Sequence, residues 1–344
     1  MNIWIWVVVL LAAVWAAHWG AEQLDEPLKK LRRQWGLTQV AGAAFVGLAA
    51  ASPEIGINTA SAITGVSDIG LGTMLGSNIV AIPIVVTTAY WASRRERLGD
   101  EDDAESGEDF ENHARHRQQR LLRVEKAAVS VQAIPYLAIV AIVAVLTLPK
   151  SVRGLQPIDG LVMAIVYLAY LGQAVFRGRQ QGREVEWTKK EIFFAIAGVV
   201  VLAIGAYFTV TATENIVGAL GISEIIGGLF ITAPMAMLPE LFATWSVTRS
   251  GQVTAATTSV IGDHAVTMTI AFVPLALATA PVNNLQLYSV NLAFVALMPA
   301  LYAAFIHWGS REGEHGFQLW QVLALDGVYL VYLGIMLFGV LNVL

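Results

Sequence analysis

Long apolar runs separated by short polar breaks dominate this chain, and each run is long enough to cross the ~30 Å hydrocarbon core of a bilayer as a helix. Ten such runs are predicted, over residues 3–19, 38–62, 69–92, 126–148, 157–176, 191–212, 222–247, 253–279, 286–307 and 318–342. The first has no Lys or Arg before it, unlike a secretory signal, and is read as a retained span.

Lys and Arg fix the expected sidedness. If the spans alternate, every basic residue except Lys150 and Arg153 falls on the loops after spans 1, 3, 5, 7 and 9. By the positive-inside rule those loops are cytoplasmic and both termini are extracytoplasmic. Adding or removing one span scrambles this segregation, so the charge pattern supports ten.

Five spans per half is an odd number, so homologous halves must lie upside down relative to each other, as in many secondary transporters. Residues 42–80 align without a gap on 228–266, and the identities fall on special residues: Gly42 with Gly228, Pro53 with Pro239, Glu54 with Glu240, Gly65 with Gly251, Gly76 with Gly262 and Val80 with Val266. A second echo pairs Asp159-Gly160 with Asp326-Gly327, each read as opening the last helix of its half. The expected fold is an all-α membrane protein of ten transmembrane helices, two inverted five-helix repeats with helices broken at the midplane. The first half is 1–176, with its repeat core at about 38–88 and a cytoplasmic loop at 93–125. A cytoplasmic linker spans 177–190, and the second half is 191–344, with its repeat core at about 222–275.

Composition narrows the function. Of 344 residues 56% are hydrophobic and 14% charged, against about 25% charged in a soluble domain; mean hydropathy is +0.62. Cysteine is absent, which excludes disulfides and thiolate ligands or nucleophiles. Nothing supports nucleic-acid binding or a cofactor, and no nucleotide motif suggests an ATP-driven pump. The expected partners are membrane lipid and inorganic cations. The acidic run DEDDAESGEDFE at 100–111 lacks the DxDxDG spacing of a calcium loop and is read as a solvated linker.

The candidate chemistry lies inside the spans. In AAASPEIGIN (49–58) and MAMLPELFAT (235–244) a proline precedes a glutamate. Proline lacks the amide donor, frees the carbonyl four residues back (Ala49, Met235), and is expected to kink or break each helix there. An ionised acid at a span centre costs roughly 2.5–3.5 kcal/mol on insertion scales, so two at repeat-related positions call for a compensating ligand. A cation between them meets the carboxylates and freed carbonyls together. The next helices bring LGSNIVAIP (75–83) against IGDHAVTMT (261–269), aligning Ser77 and Asn78 with Asp263 and His264. Asp263 is a third intramembrane acid, and an imidazole at His264 titrates near neutral pH.

These motifs resemble the repeats of the cation/Ca²⁺ exchanger superfamily, the sodium/calcium exchanger type, in which G-T-S-x-P-E on one broken helix is followed by G-S-N on the next. Proline-glutamate pairs, Gly76-Ser77-Asn78 and Gly262 match. Ala50-Ala51 and Ala236-Met237 stand where that family carries Thr-Ser, and Ala81 and Thr267 where it carries Asn or Asp. The resemblance implies Glu54 and Glu240 as shared Ca²⁺ ligands, with Ser77 and Asp263 lining the site beside Asn78 and His264. It implies a transporter rather than an enzyme: a cell-membrane antiporter exchanging Ca²⁺ or a similar divalent cation for Na⁺ or H⁺. A proton-coupled cation or Na⁺/H⁺ exchanger, and an ion channel or non-transporting sensor, are the competing readings.

Overall fold

The structure, a computed structural model, describes residues 3–36, 47–94, 120–126, 128–151, 153–177, 182, 184–249, 253–308 and 315–341. The acidic run at 100–111 and the opening of the predicted second span, 38–46, lie outside the described residues. Helix dominates: α1 (Ile3–Gln34), α2 (Ser52–Thr64), α3 (Ser67–Ala92), α4 (Ile134–Thr147), α5 (Pro157–Arg177), α6 (Lys189–Leu220), α7 (Glu224–Gly227), α8 (Ala233–Arg249), α9 (Val253–Thr267), α10 (Phe272–Leu277), α11 (Leu285–Trp308) and α12 (Leu319–Gly334). π-Helical turns lead into α4 (Val129–Ala133) and α8 (Gly228–Thr232) and extend α12 (Ile335–Val340).

Among the described residues eight helical stretches have the length and apolarity of a membrane span, and Pro157–Gln173 is a shorter apolar helix. Large apolar side chains such as Ile196, Val200, Ile204 and Phe208 on α6 are exposed, as a lipid-facing surface requires. By contrast, 94% of an apolar window of Ser67–Ala92 is buried, more than in any other of these stretches.

The chain divides into two compact units, and each draws on both halves of the sequence. The first comprises 1–77, 141–236 and 262–283; the second comprises 78–140, 237–261 and 284–344. In the first unit α1 packs along α6 through small residues. A Cβ on Gly205 would lie 2.6 Å from Ala17 N and 2.7 Å from Ala13 O, and one on Gly198 2.7 Å from Gly20 O. Lipid tails are as apolar as the helices, so close backbone approach is what drives association. At one end of this pair Thr188 and Glu191 form a capping box on α6, and Lys30 reaches Glu191.

Within the second unit, two three-residue strands, Leu121–Arg123 and Gly316–Gln318, pair antiparallel with Leu122 opposite Phe317. The sequence reading assigned no strand. Phe317 is fully buried and packs tilted against Tyr302, ring centroids 5.2 Å apart, and the Tyr302 hydroxyl donates to the Thr257 carbonyl at 3.1 Å.

Asp159 and Asp326 are not equivalent, contrary to the echo in the sequence. Asp159 sits in the first turn of α5 and accepts from the Gln156 amide at 2.8 Å, an N-terminal cap beside Pro157. Asp326 lies within α12, seven residues after its start, and accepts from the Thr87 hydroxyl at 2.9 and 3.0 Å to its two oxygens. The apolar run of α12 extends ahead of Asp326 through Leu319-Trp320 and Val322-Leu323, so the helix has no reason to begin at the acid.

Candidate functional site

The two proline-glutamate steps fold differently. Pro53 is the second residue of α2, and Ala51 just outside it turns the chain with its amide on the Gly47 carbonyl at 2.9 Å. The carbonyl that Pro53 frees, Ala49 O, accepts from the Ser52 hydroxyl at 2.7 Å. Glu54 follows in the first turn of α2, where amide dipoles favour a negative charge, and it is 4% exposed.

Pro239, expected to kink or break its helix, lies inside α8, whose helical run is not broken there. Irregular backbone sits two to three turns earlier, in the π-helical turn Gly228–Thr232, and farther on, where Met268–Ala271 separates α9 from α10. Pro274 explains the second: its ring clashes with the carbonyl four residues back and it offers no amide, so the chain must turn before it. Around the break Val266 O accepts from the amides of Thr269, Ile270 and Ala271. Glu240, in the middle of α8, is half-buried.

Ser77 and Asn78 lie near the centre of α3, 2% and 0% exposed. Ser77 donates to Met74 O at 3.3 Å, and Asn78 Oδ1 accepts from the Tyr136 hydroxyl of α4 at 2.8 Å within the second unit. Asp263 and His264 are in α9, 5% and 1% exposed, and Thr267 donates to the Asp263 backbone carbonyl at 3.0 Å. Glu54, Ser77, Asp263 and His264 thus belong to the first unit, and Asn78 and Glu240 to the second. Among the described residues no three His, Cys, Asp or Glu side chains form a metal-holding group.

Glycines hold these segments at backbone distance within the first unit. A Cβ on Gly76 would lie 2.8 Å from both Ala233 Cβ and Leu229 O, and one on Gly47 3.3 Å from Gly262 O. The repeat offset of 186 residues carries Gly76 onto Gly262 and Gly47 onto Ala233. Contact 76–233 therefore maps onto contact 262–47, the reciprocal pairing that a pseudo-two-fold axis generates.

Several polar residues of these helices escaped the sequence reading. Asn58, four residues after Glu54, is 0% exposed and donates through Nδ2 to Ala271 O at 2.7 Å, tying α2 to the break after α9. Its repeat counterpart, Thr244, is four residues after Glu240 and also buried. The signal available was a polar residue one helical turn beyond each glutamate.

A family model described as sodium/calcium exchanger protein matches residues 2–176 and 190–338, nearly the whole chain. No curated protein sequence matches. Solved structures of the same fold include the sodium-calcium exchanger NCX_Mj soaked with 2.5 mM Na⁺ and 10 mM Sr²⁺, at 19% identity and a TM-score of 0.62, covering 97% of this chain and 99% of that one. The same exchanger soaked with 10 mM Na⁺ and zero Ca²⁺ superposes with a TM-score of 0.61 at 19% identity, with the same coverage. An H⁺/Ca²⁺ exchanger, CAX, gives a TM-score of 0.66 at 14% identity, covering 98% of this chain and 82% of that one.

Proposed function

The chain belongs to the sodium/calcium exchanger protein family, and we propose on that premise that it is a secondary active antiporter exchanging Ca²⁺, or a similar divalent cation, for Na⁺ or H⁺. The observation that carries the reading is a glutamate buried in an apolar helix directly after a proline, Glu54, and repeated 186 residues on at Glu240. In hydrocarbon a carboxylate is tolerated when a cation or proton neutralises it. Competition of the divalent and the counter-ion for the same two carboxylates gives obligatory exchange without ATP.

Ser77, Asn78, Asp263 and His264 complete the proposed site, with Tyr136 orienting the Asn78 carboxamide. Ten spans in two inverted halves, 1–176 and 191–344, with both termini extracytoplasmic in the cell membrane, are the architecture this mechanism uses. The reciprocal 76–233 and 47–262 contacts support the inversion. Rocking of one set of helices about a fixed midplane site then exposes it to each face in turn.

Proton coupling is the second reading. It is favoured by the alanines at 50 and 51, which remove hydroxyls that a Na⁺ site needs while leaving carboxylates able to take up protons. In reconstituted vesicles, Glu54→Gln and Glu240→Gln each abolish ⁴⁵Ca²⁺ exchange while the protein remains inserted; unchanged flux in either variant refutes the site. Ca²⁺ uptake against an imposed Na⁺ gradient, then a pH gradient, identifies the counter-ion. Saturable counterflow separates an exchanger from a channel.

A further inference from the structure

Asn58 in α2 is fully buried, at 0% exposure, and its two ends have different environments. Nδ2 donates to Ala271 O at 2.7 Å. That contact fixes the amide orientation, because a flipped carboxamide would set two carbonyl oxygens 2.7 Å apart. Oδ1 therefore points away from Ala271, and it meets no donor among the described residues. A buried acceptor without a partner costs about 1–3 kcal/mol, and within a bilayer no bulk water is at hand to offset it.

That oxygen has a glycine and a hydroxyl as neighbours. Gly70 of α3 faces it: a Cβ there would be 3.1 Å from Asn58 Oδ1 and would overlap Ser61 Oγ. The missing side chain leaves the carboxamide and hydroxyl oxygens side by side over a glycine. Ser61 uses its proton on the Asn58 carbonyl at 3.0 Å, so its oxygen lone pairs remain available. Glu54 and Asn58 are one helical turn apart, a spacing that brings their Cβ atoms to roughly 5–6 Å. Two oxygens on such neighbours can share a cation bound at about 2.3–2.6 Å from each.

Resting on the cation-exchange reading of Glu54, we propose that Asn58 Oδ1 is a direct Ca²⁺ ligand, a neutral oxygen on the same helix face that compensates for the absent hydroxyls at 50 and 51. Carboxamide and carbonyl oxygens suit hard divalent cations, and affinity depends on how many oxygens the site offers. Asn58 thereby acts at both ends: Nδ2 holds the broken α9–α10 segment, and Oδ1 completes the ion's shell.

Equilibrium binding of ⁴⁵Ca²⁺ to the purified full chain in detergent tests this, with Asn58→Leu, Asn58→Asp and Glu54→Gln side by side. Asn58→Leu weakens Ca²⁺ binding on the order of tenfold, about 1.4 kcal/mol. Asn58→Asp keeps an oxygen at Oδ1 while losing the Nδ2 donor, and it binds Ca²⁺ as tightly as the parent protein or tighter. Asn58→Ala replaces the leucine variant if the latter does not elute as a folded species. Unchanged affinity in Asn58→Leu overturns the proposal, and so does an equal loss in Asn58→Leu and Asn58→Asp, which assigns Asn58 to the Ala271 bond alone. Full binding by Glu54→Gln instead overturns the underlying exchange site, so the two failures are distinguishable.

Discussion

Adding a methyl group at Gly228 is the sharpest test of how closely the segments around the site approach. Its φ of −57° is one that alanine adopts freely, so only space opposes Gly228→Ala. The new Cβ would collide with Ile69 O and lie 2.7 Å from Thr73 N and 2.9 Å from Gly72 Cα. All three are backbone atoms of α3, which cannot rotate aside, so the π-helical turn and α3 must separate by roughly 0.5–1 Å. A shift of that size forfeits a quarter to a half of each contact well, and Gly72 and Gly76 of the same crossing lose their fit too. Overpacking of this kind costs about 1–3 kcal/mol, equivalent to a fall in Tm of roughly 1–4 °C for a chain of this length. Gly172→Ala in α5 is the matched control. Among the described residues no atom lies within 4 Å of its Cβ position, so helix propensity acts and stabilises by up to about 1 kcal/mol. Thermal unfolding of both variants in one detergent, followed by loss of monodispersity, reads the difference. A Gly228→Ala protein as stable as the parent, or equal shifts in the two variants, refutes the backbone-to-backbone crossing.

Tyr136→Phe removes the hydroxyl that donates to Asn78 Oδ1 at 2.8 Å; about 1 kcal/mol of stability is lost, and the half-saturating Ca²⁺ concentration for exchange rises severalfold while maximal flux stays within twofold. Wild-type Ca²⁺ dependence in this variant removes Tyr136 from the site. Thr87→Val takes a donor from Asp326 without changing side-chain volume, and destabilises by about 1–3 kcal/mol in denaturant titration. Asp326→Asn recovers most of that loss in the Thr87→Val background, since a carboxamide carries no charge to be buried; no recovery shows that the pair is not coupled.

Much was already written in the amino-acid order. Apolar runs with few charges can only be membrane helices, because the backbone must satisfy itself where water is absent, and most of the predicted spans coincide with described helices. The repeat was legible because glycine, proline and glutamate are placed for backbone and charge reasons that survive when other residues drift, which is why Glu54 and Glu240 could be singled out from the sequence. What the chain order could not determine is how freed backbone groups are met. Pro53 and Pro239 are the same step in sequence, yet a Ser52 hydroxyl takes the Ala49 carbonyl beside one, and α8 runs unbroken through the other. A break does occur after Thr267, ahead of Pro274, where Asn58 donates to the Ala271 carbonyl. Asp159 and Asp326 share a dipeptide, but one caps a helix and the other is held by Thr87 inside one. The same local step meets a neighbour three residues away in some cases, Ser52 for Ala49 and Gln156 for Asp159, and in two others a partner more than 200 residues away that only packing supplies, Asn58 for Ala271 and Thr87 for Asp326.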